Sequence, residues 1–286
     1  MARIDINGIG IDYELVGDAG APAVALTPGG RFPRNTAGLA ELAAELAKAG
    51  RRVLLWDRPN CGASDITFDG PGESIVQGRT LAGLIRALDL GPTVIAGGSA
   101  GSRVSLLASV HDPEIVSHLV IWWISGDPIS LAQLAAYYYG DSAIAAARGG
   151  MEAVADMPFW ADQIRRNPGN RDIILAQDPV AFIATMQRWA KGFAYSDTSP
   201  VPGLKAEDFA RLTMPVLIFR SGESDISHTR RTSEWVHEMI PHSKLIEPPW
   251  GDQEWNERSV AAHSGQAPGL FVRWPLLAPY ILDFSK

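Results

Sequence analysis

Short apolar runs recurring between helical patterns constrain this chain more than any other feature. The runs are "AVALTP" (23–28), "RVLLWD" (52–57), "TVIAGG" (93–98) and "SHLVIWWIS" (117–125). Each is about strand length and lacks polar alternation, as expected of a strand buried on both faces. Between them lie "AGLAELAAELAKAG" (37–50) and "GESIVQGRTLAGLIRALDL" (72–90), with apolar residues three and four apart. Strand alternating with helix predicts a mostly parallel sheet with helices on both faces. Before the first run, "ARIDINGIGIDYELVG" alternates about Asn7-Gly8 and predicts an antiparallel hairpin.

From about Pro128 to Leu212 the strand-like runs stop. Helical stretches rich in Ala, Tyr and Trp replace them: "LAQLAAYYYG", "AIAAARGGMEAVADM" and "VAFIATMQRWAKGFA". Strand patterns resume in "MPVLIFRSGESD" (214–225) and "SKLIEPPWGD" (243–252), and "LFVRWPLLAPYILDF" reads as a closing helix with a proline-marked start or kink. With 286 residues, 46% hydrophobic and 20% charged, there is material for a large core. The expected division is a core in two parts, 1–127 and 209–286, around a helical insertion at 128–208.

A net charge of −7 without a basic run gives no electrostatic footprint for nucleic acid or an anionic membrane. Neither a signal-like leader nor a run of roughly 20 apolar residues is present, so the expected location is cytoplasmic. The one cysteine, Cys61, excludes an internal disulfide and a multi-thiolate metal site. It reads as a small buried filler rather than a substrate contact. The expected partner is a small-molecule substrate, no cofactor is expected, and self-association into a homodimer is left open.

Gly97-Gly98-Ser99-Ala100-Gly101 fits G-x-S-x-G. A serine on a sharp strand-to-helix turn has strained backbone angles and needs small neighbours so that its hydroxyl projects above the sheet. The pattern alone is weak. Its position between "TVIAGG" and the helical "GSRVSLLASV" makes Ser99 a candidate nucleophile, against a plain small-residue turn.

The order of elements, this elbow and the segment from Asp57 to Ser64 resemble the α/β-hydrolase superfamily across nearly the whole chain. That segment is similar to the family's D-R-x-G-x-G-x-S turn, with Asn60 where glycine is common. The resemblance implies an eight-stranded, mostly parallel sheet flanked by helices, with 128–208 as a cap that encloses substrate. It also implies two donors for an oxyanion: the N–H of Ala100, and one from the loop "TPGGRFPRN", where Gly30 is the candidate. Pro28 stands where the family often has histidine. Arg31 and Arg34 follow and are candidates for holding a carboxylate or a polarised carbonyl. Trp123, with other aromatics, is a candidate wall of an apolar substrate pocket, although core packing explains aromatics equally well.

The proton acceptor is the open question. The family's order is nucleophile, acid, histidine, and Asp225 in "FRSGESD" occupies the acid's place. Where a Gly-His pair is usual, this chain has Gly251-Asp252, and a carboxylate is a poor base toward a serine hydroxyl. His228 lies in the acid's loop, which suggests an exchanged relay of Ser99, His228 and Asp252. A second arrangement has His263 reaching back from the segment "NERSVAAHSGQAPG", with Asp225 as its acid. A third has no serine–histidine relay. The corresponding functions are a serine hydrolase of an ester, lactone or C–C-linked ketone, a non-hydrolytic lyase or cofactor-free oxygenase using the oxyanion site, or a ligand-binding protein.

Overall fold

The structure is a computed structural model and describes residues 2–265 and 269–286. Eight strands form one sheet: β1 (Ala2–Ile6), β2 (Ile9–Val16), β3 (Ala23–Thr27), β4 (Arg52–Trp56), β5 (Thr93–Gly98), β6 (Val116–Trp122), β7 (Val216–Phe219) and β8 (Lys244–Ile246). Their spatial order is β1-β2-β4-β3-β5-β6-β7-β8. The hairpin β1–β2 turns at Asn7 and Gly8, both at positive φ. β2 also runs antiparallel to β4, and every later pairing is parallel. The sheet is therefore mixed, with its two antiparallel pairings confined to one edge.

The side-chain period of two sorts the apolar runs onto two faces. Ala25, Leu54, Ile95, Leu119, Ile121 and Ile218 face one core, covered by α2 (Glu73–Ala87), α3 (Ala100–His111) and α9 (Arg230–Met239). Their neighbours Val24, Leu26, Val53, Leu55, Val94, Val120 and Leu217 face the other core, under α1 (Leu39–Lys48) and α11 (Ala278–Phe284). Uninterrupted hydrophobicity in these strands is thus a consequence of burial on both sides. α1 starts at Gly38, whose N–H donates to the Glu41 carboxylate at 2.6 Å. The closing segment enters through a 3₁₀ turn at Trp274–Leu277, and Pro275 and Pro279 stand in the first turns of it and of α11, where a missing N–H costs nothing.

Between β6 and β7 lie α4 (Pro128–Ala135), α5 (Asp141–Ala155), α6 (Pro158–Arg166), α7 (Asn170–Leu175) and α8 (Pro179–Lys191). They share a third apolar cluster, including Tyr138, Tyr139, Trp160, Phe182 and Trp189, with Ile66 and Phe68 of the core reaching into it. Residues 192–212 are mainly irregular, with one 3₁₀ turn at Ala206–Arg211, so helix ends earlier than the composition of this stretch suggests. The segment after β8, expected as a flexible loop, contains α10 (Glu254–His263). Glu254 pairs with Arg258 one turn on, at 3.0 Å. Among the described residues no helix is long and apolar enough to cross a membrane.

Candidate active site

β5 leaves the sheet at Gly98, and α3 starts at Ala100. Ser99 between them has φ 58° and ψ −123°, a costly conformation for a residue with a Cβ. The strain persists because the surroundings fix both sides of the residue: Ser99 N–H donates to Trp122 O at 3.1 Å, and Ser102 Oγ and N donate to Ser99 O at 2.6 and 3.0 Å. A Cβ on Gly101 would lie 2.1 Å from Thr27 O, so this glycine lets α3 pass against the end of β3.

Across from the elbow, Ser99 Oγ lies 2.9 Å from His228 Nε2, and His228 Nδ1 lies 3.0 Å from Asp225 Oδ2. Both the histidine and the carboxylate come from one loop, between β7 and α9. Asp225 Oδ1 accepts the backbone N–H of Ser227 and of His228, each at 2.9 Å, so the carboxylate folds its own loop into a turn and orients the ring at the same time. Asp225 and His228 are buried, while Ser99 is partly accessible. Trp123, buried and at φ 52°, stacks on the His228 ring at 5.8 Å and 15°, and Trp255 of α10 meets that ring edge-on at 5.8 Å. Trp123 therefore braces the imidazole rather than lining an open wall.

The expected pairing of His228 with Asp252 is corrected by these contacts. The two loops are neighbours, as expected: Asp252 O accepts the Ser224 N–H and hydroxyl at 3.1 and 2.9 Å. The Asp252 side chain turns away, is 45% exposed, and pairs with Arg230 at the start of α9. A carboxylate so placed is compensated by a cation and has no contact with the ring. The alternative through His263 is also corrected: that residue is exposed at the end of α10, where its Nδ1–H donates to Ser259 O at 2.7 Å.

The loop after β3 faces the elbow. A Cβ on Gly29 would stand 2.9 Å from Ser99 Cβ, so only glycine fits there without displacement. Arg58, buried, donates through Nη2 to Gly29 O at 3.2 Å and Gly30 O at 2.6 Å, fixing the carbonyls of this turn. The N–H groups of Gly30 and Ala100 have no acceptor among the described residues.

Arg34 is corrected as a candidate for substrate. It donates to Asp57 through its backbone and Nη1, both at 2.6 Å, and pairs with Asp12 at 2.6 Å, so its charge is consumed in tying the loop to β2 and β4. Burial is the main force raising the Asp57 pKa, opposed by the N–H groups of Ala63 and Arg34. Arg31 is buried under the helical segment, donating to Glu73 Oε2 and Tyr138 O at 3.1 Å each, with its guanidinium 4.3 Å over Phe159. Cys61 is buried, and desolvation pushes its thiol up to about 11. Among the described residues no cluster of His, Cys, Asp or Glu is arranged to hold a metal ion.

Trp255, one of the aromatics expected around the pocket, and Arg58, expected as part of a structural turn, both contribute to this region, as does Arg103, which the sequence reading did not single out. The only signal of Arg103 in the sequence is its place as the one charged side chain among the small and apolar residues of α3 before its final histidine.

No protein-family model matches the chain. It is 34% identical over 122 residues to the mouse protein named sn-1-specific diacylglycerol lipase ABHD11, a segment covering 42% of this chain and 39% of that one. It is 22% identical over 249 residues to human serine hydrolase BPHL, covering 85% of this chain and 77% of that protein. The first of these alignments spans only about two fifths of the relative's length. Among solved structures, the enol-lactonase from Burkholderia xenovorans LB400 superposes with a TM-score of 0.59 at 19% identity over 99% of both chains. The sheet order, the elbow and these likenesses agree: the chain has the α/β-hydrolase fold.

Proposed function

We propose that this protein is a serine hydrolase that cleaves an ester, a lactone or a C–C-linked ketone of a small molecule through an acyl-enzyme. The observation that carries the reading is the unbroken series of contacts from Ser99 Oγ through the His228 ring to Asp225, at 2.9 and 3.0 Å. In it, Asp225 accepts the Nδ1 proton, which leaves Nε2 free to take the serine proton.

Ser99 Oγ attacks the substrate carbonyl carbon as its proton passes to His228 Nε2. The carbonyl oxygen becomes an oxyanion that the N–H groups of Gly30 and Ala100 receive. Collapse of the tetrahedral intermediate breaks the bond to the leaving alkoxide, or to the enolate carbon of a ketone, and His228 returns the proton to it. A water molecule, deprotonated by the same nitrogen, then attacks the acyl-enzyme and releases the acid. Asp225 remains ionised and compensates the imidazolium at each step. The helical segment from α4 to α8 acts as the cap over this site.

A fluorophosphonate probe tests the reading. Labelling at Ser99, lost in Ser99→Ala and in His228→Ala, is the expected result. Undiminished labelling of the His228→Ala protein would overturn the relay, and no labelling of the native protein would overturn the function.

A further inference from the structure

Beneath the helical segment lie three buried guanidiniums, of which only Arg31 is paired with the buried carboxylate Glu73. Arg31, Arg58 and Arg103 are 9%, 1% and 3% exposed, and Glu73, 6% exposed, is the acid among them. Glu73 is already committed on both oxygens: Oε2 accepts from Arg31 at 3.1 Å and Oε1 from Asn60 at 2.9 Å. The nearby Asp57 is taken by Arg34 and two backbone N–H groups. Buried Nε and Nη1 of Arg31, Nε of Arg58 and Nη1 of Arg103 have no acceptor among the described residues. A buried cation with unused donors is costly, and such groups are ordinarily paired.

Arg103 is the least committed of the three. Its Nε donates to Ser74 Oγ at 2.9 Å, and its guanidinium lies 4.4 Å over the Phe193 ring. No carboxylate is among its contacts. It stands one helical turn beyond Ser99 on α3, and its backbone N–H donates to Ser99 O at 3.4 Å. A cleft of about 50 Å³ is lined by Glu73, Tyr139 and Trp189 together with Ser74 and Phe193, the two side chains that Arg103 contacts. Arg58 connects the cluster to Gly29 and Gly30 on the proposed oxyanion side.

We propose that this cluster receives an acidic group of the substrate, a carboxylate bound principally by Arg103, so that the preferred acyl compound carries a carboxylate besides the bond that is cleaved. The inference deepens the hydrolase reading and rests on it for the identity of the ligand as a substrate. A bidentate carboxylate supplies the missing acceptors and the missing negative charge together. Ile75, Tyr139, Trp189 and Phe193 supply apolar surface in the cleft, which suits the short carbon chain between the two groups.

Two esters of equal chain length, p-nitrophenyl valerate and mono-p-nitrophenyl glutarate, differ only in a terminal methyl or carboxylate. The native protein is expected to favour the glutarate ester in kcat/KM by on the order of 10- to 100-fold, as charge-assisted hydrogen bonds allow. Arg103→Met should abolish this ratio, and Arg103→Lys should restore part of it. Equal efficiency of the two esters with the native protein would overturn the proposal without touching the hydrolase reading, and needs no variant to fold. A preference that survives in Arg103→Met would overturn the assignment to Arg103. If neither ester is cleaved, the hydrolase reading fails on its own, and calorimetric titration with glutarate still decides the anion site. Binding that Arg103→Met eliminates upholds it, and absence of binding overturns it.

Discussion

Replacing Asp225 and Asp252 separately by asparagine separates the proposed relay through Asp225 from its exchanged alternative. In the native loop, Asp225 Oδ1 accepts two backbone N–H groups and Oδ2 accepts the His228 Nδ1 proton. An asparagine there keeps its carbonyl oxygen on the two N–H groups, because an amide nitrogen cannot accept them. Its NH₂ is then directed at Nδ1, which must become the unprotonated nitrogen. The proton moves to Nε2 and faces Ser99 Oγ, so the base is presented in the wrong tautomer. Elsewhere such a change costs about 10⁴-fold in kcat, or roughly 5 kcal/mol in the barrier. Asp252→Asn removes a half-exposed partner of Arg230, an interaction of about 0–1 kcal/mol in stability, and leaves the backbone carbonyl that holds Ser224. Its kcat should stay within about threefold of native. Rates of p-nitrophenyl acetate hydrolysis and of fluorophosphonate labelling read both variants. If Asp225→Asn stays within about tenfold of native, or if Asp252→Asn falls as far as Asp225→Asn, the assignment of the acid is refuted.

Other perturbations check the surroundings. Gly29→Ala places a Cβ 2.9 Å from Ser99 Cβ and 3.1 Å from Gly98 O, so it should lower stability by about 1–3 kcal/mol in urea titration and reduce kcat with it. Trp255→Ala removes the edge-on contact to His228 but none of the hydrogen bonds, so hydrolysis and labelling should both fall by about tenfold while the fold is retained. Cys61, buried and with its thiol pushed up to about 11, should not react with a disulfide reagent until urea unfolds the chain. Burial lowers the His118 pKa below 6.5, so this group contributes stability above the unfolded value that is lost as pH falls through the folded one. His118→Asn should flatten the fall in Tm between about pH 7.5 and 5.5, and an unchanged slope would remove His118 as a contributor.

The parts of the fold legible in the sequence are those dictated by local pattern. Strands buried on both faces are apolar at every position, Asn7-Gly8 supplies the positive φ of a hairpin, and Gly97, Gly98 and Gly101 frame an elbow where side chains would collide. The loop bearing His228 was likewise legible from its place in the order of elements. The direction of a side chain was not. Asp252 faces Arg230, 22 residues earlier in the chain, and Arg34 faces Asp12 and Asp57, pairings that no local period encodes. The helix α10 was obscured because "EWNERSVAAH" has little amphipathic contrast and depends on tertiary contacts such as that of Arg258 with Trp123.

In the proposed relay the acid and base are three residues apart, which changes what must be specified to assemble the site. When they come from separate loops, two long closures have to agree to within a fraction of an ångström. Here the Asp225 carboxylate closes the turn that presents His228, so their mutual placement is local and its loop-closure entropy is small. Only the contact with Ser99, 129 residues away, remains to be set by the fold. That contact is set from both sides: the elbow is fixed by Trp122 O and the close approach of Gly29, and the ring by Trp123 and Trp255. In the proposed relay the segment after β8 carries no proton acceptor and instead packs against the site, with Arg258 stacked over Trp123 and Trp255. His228 is therefore held within its own loop by Asp225, and from outside by Trp123, just past the end of β6, and by Trp255 of α10.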